Sequence, residues 1–237
     1  MSSRHGLLDT IIDNIAPVHS DGHKFIAIAA VLSALFFILW SPLGWVLLGI
    51  VCYIAYFFRD PDRVTPLREG LVIAPADGRI SAVDVVTPPM ELGLGQTPRV
   101  RVSTFLSVFD VHINRAPVAG RIVRSIYVPG AFINAAADKA SEENERRSLV
   151  IATSGGDEFA VVQIAGLIAR RIVTFSQEGD TVGVGQRFGL IRFGSRVDVY
   201  LPPGRTALVA VGQRAVAGET ILADMKSDEP ERESRRS

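Results

Sequence analysis

The chain has 237 residues with 25 acidic and 25 basic side chains, so its formal charge balances, which argues against a nucleic-acid partner. One cysteine, Cys52, excludes an intrachain disulfide and a cysteine-built metal site. The length suits one substantial core plus an appendage.

In residues 1–24, Leu7, Leu8, Ile11, Ile12 and Ile15 fall on one helical face. That face suits a membrane surface or packing against the protein, and both stay open. Residues 25–58 carry no charge. One straight helix of about 34 residues would span roughly 50 Å, well beyond a hydrocarbon core of about 30 Å. Trp40-Ser41-Pro42-Leu43-Gly44-Trp45 interrupts the run, with helix breakers between two interface-seeking tryptophans. The expectation is a hairpin or re-entrant pair, the other option being one kinked, tilted span. A cleaved signal peptide would have a shorter apolar region nearer the N-terminus. Arg4 and Lys24 precede the run, and Arg59, Arg63 and Arg68 follow it. A hairpin would place both basic flanks, and the domain behind them, on the cytoplasmic side of the cell (inner) membrane. The three later arginines are also candidates for holding the domain against anionic headgroups.

From residue 59 to 223, short β-branched runs alternate with Gly and Pro: 71–73, 79–86, 100–105, 121–128, 148–153, 159–164, 196–201 and 207–211. They predict a mainly β (α+β) protein, an antiparallel β-rich domain behind an N-terminal apolar helical membrane hairpin. Residues 134–146 read as a helix or an ordered loop. Residues 224–237 are charged and read as a disordered tail.

Four blocks carry chemistry. Ala74-Pro75-Ala76-Asp77-Gly78 is an Asp-Gly turn into a strand. Asp110-Val111-His112-Ile113-Asn114-Arg115-Ala116-Pro117 holds the one histidine found after residue 23. Ser141 to Arg147 reads as a charged, solvated face. Residues 178–189 are turn-rich and lead into Phe193-Gly194-Ser195-Arg196. Glycine before serine permits a strained turn in which the hydroxyl attacks the preceding carbonyl. Elimination from the resulting ester, then loss of ammonia, would turn the serine into a pyruvoyl ketone able to form Schiff bases.

Together with Phe57-Phe58-Arg59-Asp60-Pro61-Asp62-Arg63 and Gly166-Leu167-Ile168-Ala169-Arg170-Arg171-Ile172, these blocks resemble the phosphatidylserine decarboxylases in their short, membrane-anchored bacterial form. The resemblance covers nearly the whole chain. It implies autocatalytic cleavage of Gly194-Ser195, giving a β chain to 194 and an α chain from 195 that stay together as a heterodimer. The cut is expected between neighbouring strands of one sheet. The implied cofactor is pyruvate, a covalent pyruvoyl group made from Ser195. The implied reaction converts phosphatidylserine in the membrane to phosphatidylethanolamine and carbon dioxide, with catalytic residues Ser195, His112 and Asp77 and no metal.

Longer family members carry two histidines where this chain has His112 and, in the second place, Arg115. Either His112 serves both maturation and turnover, or maturation relies on Asp77 with strain at Gly194. Asn114 and Arg115 are candidate substrate-binding residues; Arg115 paired with an acid is the structural alternative. A higher oligomer stays open.

Two rival classes lack their essential residues. A lipoyl-like carrier would need a lysine at the tip of the 179–185 hairpin, and a metallopeptidase would need clustered histidine and acidic ligands.

Overall fold

The computed structural model describes residues 16–130, 143–166, 172–192, 195–227, Glu229 and Arg232. The N-terminal face from Leu7 to Ile15 and the cleavage glycine Gly194 lie outside them. So does most of the expected 134–146 helix or loop. The chain divides into two compact units at Asp62/Arg63.

The first unit is a helical hairpin. Helix α1 runs Ser20–Leu39 and α2 runs Ser41–Phe57. The His19 side chain accepts from the Asp21 amide and caps α1. Trp40, in extended conformation, separates the helices, and Pro42 sits in the first turn of α2, where its missing N–H costs nothing. The Ser33 hydroxyl donates to the Gly44 carbonyl at 3.0 Å across the bend. At the open end the His19 amide donates to the Phe58 carbonyl, and Val18 bridges Arg59. These contacts bring both feet together, so the run is a hairpin and not one span. At about 1.5 Å per residue, α1 is roughly 30 Å long and α2 roughly 25 Å. α1 is long and apolar enough to cross a membrane. Ile28, Val31, Ile38, Leu39, Trp40, Trp45 and Val46 are exposed on this unit.

The second unit is built of antiparallel sheets. Its strands are β1 (Leu71–Ile73), β2 (Gly78–Val86), β3 (Arg99–Leu106), β4 (Ile113–Arg115), β5 (Gly120–Val128), β6 (Arg146–Ala152) and β7 (Glu158–Ala165). There follow β8 (Ile172–Thr174), β9 (Thr181–Val182), β10 (Arg187–Ile191), β11 (Ser195–Tyr200), β12 (Arg214–Ala215) and β13 (Ile221–Asp224). The large sheet has the order β12-β2-β3-β11-β7-β6-β5-β9, a small one the order β4-β10-β8, and β1 pairs with β13. The small sheet lies over the face of the large one that carries Val197 and Val199. Gly189 of β10 is pressed so closely there that a Cβ would sit 2.6 Å from the Val173 carbonyl and 3.1 Å from Gln163 Nε2. Between the layers Val102, Leu106, Val161, Phe188, Ile191, Val197 and Val199 form the main core.

Seven of the eight expected strands occur. Residues 207–211 do not form one: Leu208 donates to the Leu222 carbonyl of β13, and no ladder follows from that bond. Ala207 and Val209 are nevertheless buried, which explains their apolar pattern. The short strands β4, β8, β9, β10, β12 and β13 were not among the expected runs. Asp224, where the expected tail begins, is the last residue of β13, and Met225 packs against the core. The reading of 141–147 as a solvated face is also corrected for its described part: Asn144 and Glu145 are buried, Asn144 donates to the Ala165 carbonyl, and Arg146 pairs with Glu91.

One expectation is overturned outright. Strands β10 and β11 are not neighbours in one sheet; β10 belongs to the small sheet and β11 to the large one. Ser195 to Tyr200 pair with β3 on one side and β7 on the other. The segment from 195 onward therefore contributes a central strand, plus β12 on β2 and β13 on β1. A chain cut before Ser195 should keep its 195–237 piece through size-exclusion in native buffer and release it only in denaturant. Separation in native buffer would show that these ladders do not hold the pieces together.

Candidate active site

Ser195 opens β11 and is fully buried. Its cross-strand partners are Leu106 and Ala165, both apolar. Among the described residues its hydroxyl has no hydrogen-bond partner. A buried hydroxyl without a partner is uncommon, because desolvation goes uncompensated. Arg196 and Asp198, alternating with Ser195 along β11, form a buried ion pair at 2.9 Å on the opposite face.

His112 immediately precedes β4 and is buried. Its Nδ1 lies 2.9 Å from the Asp110 carbonyl oxygen. A carbonyl only accepts, so Nδ1 carries a proton and Nε2 is the basic nitrogen of the neutral ring. Asp110 is itself fixed. Its carboxylate accepts from the Ser107 amide and hydroxyl and from Arg214 at 2.8 Å. The His112 carbonyl accepts from the Ile191 amide at 3.3 Å, which ties the histidine to the end of β10.

Asp77 sits in the turn before β2. Gly78 follows with φ 154°, and a Cβ there would lie 2.1 Å from the Phe105 carbonyl oxygen, so only glycine fits. That close approach holds Asp77 at the end of the sheet where Leu106 pairs with Ser195. Strand β2 is two strands from β11, about 10 Å at normal spacing. Arg63 donates to both Asp77 oxygens, at 2.8 and 3.1 Å, and the Ala217 amide donates at 2.8 Å. Burial pushes the Asp77 carboxyl above its ordinary range; the Ala217 amide, Arg63 and Arg214 pull it down, and Asp110 pushes it up.

Arg63 was a candidate for the headgroup surface. The structure corrects this: its side chain is 15% exposed and committed to Asp77. Arg68 pairs with Asp224, and Arg59 stacks over Tyr56. Arg115 Nη1 donates to the Gly185 carbonyl and its amide to that of Pro75, so it ties the Asp77 turn to the turn before β10. Asn114 is fully buried and accepts from Gln163 Nε2 at 2.7 Å.

Sequence reasoning missed Arg63, Asp110, Arg214 and Gln163 as parts of this region. The available signals were the Asp-Pro-Asp-Arg block for Arg63 and, for Gln163, one amide in the apolar run Val161-Val162-Gln163-Ile164.

Residues 52–223 match the family model described as phosphatidylserine decarboxylase. The chain is 58% identical over 212 residues to the phosphatidylserine decarboxylase proenzyme of Nitrobacter winogradskyi, covering 90% of this chain and 86% of that one. The class is thus a carboxy-lyase, and the similar protein is named as one made in precursor form. The chain belongs to the phosphatidylserine decarboxylase family.

Arg63→Ala should cost about 3–5 kcal/mol near neutral pH, because it strands a buried carboxylate. The sign with pH follows from the raised Asp77 carboxyl. Ionising it in the folded protein is unfavourable, and losing Arg63 makes this worse, so the cost should shrink as pH falls toward about 4 and Asp77 takes up a proton. Urea denaturation in detergent at both pH values measures it. A cost independent of pH would show that Arg63 acts through packing and not charge.

Proposed function

We propose that this chain is a self-processing phosphatidylserine decarboxylase that works at the cell membrane. In this reading it cuts itself between Gly194 and Ser195, and Ser195 becomes a pyruvoyl group. The observation that carries the reading is Ser195 itself: a fully buried serine at the head of a central strand, its hydroxyl without a partner among the described residues. Such a position fits a small ketone, which needs neither a charge partner nor solvent.

In maturation, Ser195 Oγ bonds to the Gly194 carbonyl carbon as the Gly194–Ser195 amide bond breaks. Removal of the Ser195 α-proton then breaks Cβ–Oγ, and Gly194 leaves as a carboxylate. Addition of water and loss of ammonia leave the ketone. His112 is the base in this reading, because the Asp110 carbonyl fixes the tautomer in which Nε2 is the basic nitrogen. The Asp77 oxygens accept from the Arg63 guanidinium and the Ala217 amide. We assign Asp77 to organising the turn with Arg63.

When formed, the ketone supplies the electron sink that loss of carbon dioxide from an amino-acid headgroup requires. His112 Nε2 returns a proton to the substrate α-carbon afterward. Asn114 contributes to substrate binding; Arg115 positions the Asp77 turn. The two resulting chains remain a heterodimer through the strands that start at Ser195.

Residues 25–58 anchor the protein, with 1–24 as an N-terminal amphipathic, cytoplasmic segment and 59–223 as the catalytic domain. The exposed apolar side chains of α1 and α2 support contact with lipid. Basic residues on both flanks favour the cytoplasmic side of the inner membrane. Tethering lets the enzyme meet a substrate whose headgroup never leaves the bilayer surface.

Intact-mass measurement of active protein should show two polypeptides divided after Gly194, and a single full-length chain would refute the pyruvoyl reading. Ser195→Ala should stay uncut and release no carbon dioxide from phosphatidylserine. His112→Ala should lose about 10²–10⁴-fold in turnover as general acid–base catalysis is removed. If His112→Ala is cut yet inactive, the histidine serves turnover alone; if uncut, it serves maturation; full activity removes it from the site.

A further inference from the structure

Around Ser195 the face turned toward the small sheet carries more polar atoms than the fold itself uses. Thr104 of β3, Val197 of β11 and Gln163 of β7 lie in one cross-strand row. Val197 is two residues from Ser195, so Thr104 and Gln163 are the serine's diagonal neighbours, about 7–8 Å away and within reach of longer side chains. Asn114 comes down from β4, opposite Gly189, and bonds Gln163. All four polar residues are fully buried. Among the described residues, Ser195 Oγ, Thr104 Oγ1, Asn114 Nδ2 and Gln163 Oε1 have no hydrogen-bond partner.

The amide pair is the informative part. One bond between two side-chain amides leaves one N–H₂ edge and one carbonyl edge unused. Flipping both amides exchanges which residue supplies which edge, but the pair still offers one donor and one acceptor. A serine headgroup has the complementary groups on a single carbon: a carboxylate that accepts and an amine that donates. The pair is also uncharged. A guanidinium would hold the carboxylate strongly in the ground state and oppose its departure as neutral carbon dioxide. An amide orients it without that penalty.

We propose that Asn114, Gln163 and Thr104 form a charge-neutral pocket for the amino-acid headgroup beside residue 195. The Asn114 amide donates to the substrate carboxylate, Gln163 Oε1 accepts from the substrate amine, and the Thr104 hydroxyl closes the third side. Asn114 and Gln163 are specificity determinants, and Gly189 is the position that lets β10 close over Gln163. This rests on the decarboxylase reading above.

The test uses full-length, processed protein in detergent and two dioctanoyl lipids without an amine, so that neither condenses with a ketone. Phosphatidyl-3-hydroxypropionate keeps the carboxylate; phosphatidylethanol lacks it. By calorimetry the wild type should bind the carboxylate lipid about tenfold more tightly or better. Asn114→Leu should reduce that preference to about twofold or less, leaving phosphatidylethanol unchanged. Gln163→Glu, nearly isosteric, should weaken only the carboxylate lipid by setting a charge against it. Intact mass and a melting curve confirm that each variant is cut and folded, and either variant alone decides the matter. Equal binding of the two lipids by wild type, or a preference kept in the variants, overturns the pocket. Wild type that turns over phosphatidylserine without the preference refutes the pocket and leaves the decarboxylase reading intact. A preference without turnover does the reverse.

Discussion

Between Ile191 and Ser195 the chain leaves one sheet and enters another, and most of the site depends on that transfer. β10 ends in the small sheet and β11 begins in the large one. The residue that starts β11 therefore sits where the two layers face each other, under core packing and away from water. The Ile191 amide reaches the His112 carbonyl just before the transfer, so the histidine is held at the same junction. A serine in an exposed hairpin would have the same dipeptide sequence and none of this enclosure.

Charge burial is the second constraint. Asp77 and Asp110 lie in turns that open toward the same region, close enough for Asp110 to push the Asp77 carboxyl up. Each has its own guanidinium, Arg63 for Asp77 and Arg214 for Asp110. Neither pair adds net charge, and each fixes a turn: the one that starts β2 and the one that presents His112. Each acid is thus held in place by a guanidinium at the edge of the same region.

Local patterns made much of this readable in advance. The uncharged run broken at Trp40–Trp45 yields two helices because apolar composition and proline act within a few residues. Strand positions such as 71–73 and 121–128 follow from β-branched content and flanking turn residues. The 207–211 run failed because burial selects the same apolar residues whether or not a ladder forms. Two- and three-residue strands such as β4 and β12 escaped notice, since so short a segment has no periodicity.

The sequence by itself determined that this is a β-rich chain with an uncharged apolar run broken at Trp40–Trp45, a single histidine beyond residue 23 and a Gly-Ser pair in a recognisable setting. Each is a property of residue type and spacing. Only the tertiary structure decided that Arg63 serves Asp77 rather than a membrane surface, that Arg214 reaches Asp110 across 104 residues, and that Gln163 meets Asn114 across 49. The reason is physical. Antiparallel ladders join segments in an order that local propensity does not encode, and a buried polar side chain finds its partner wherever that order brings one.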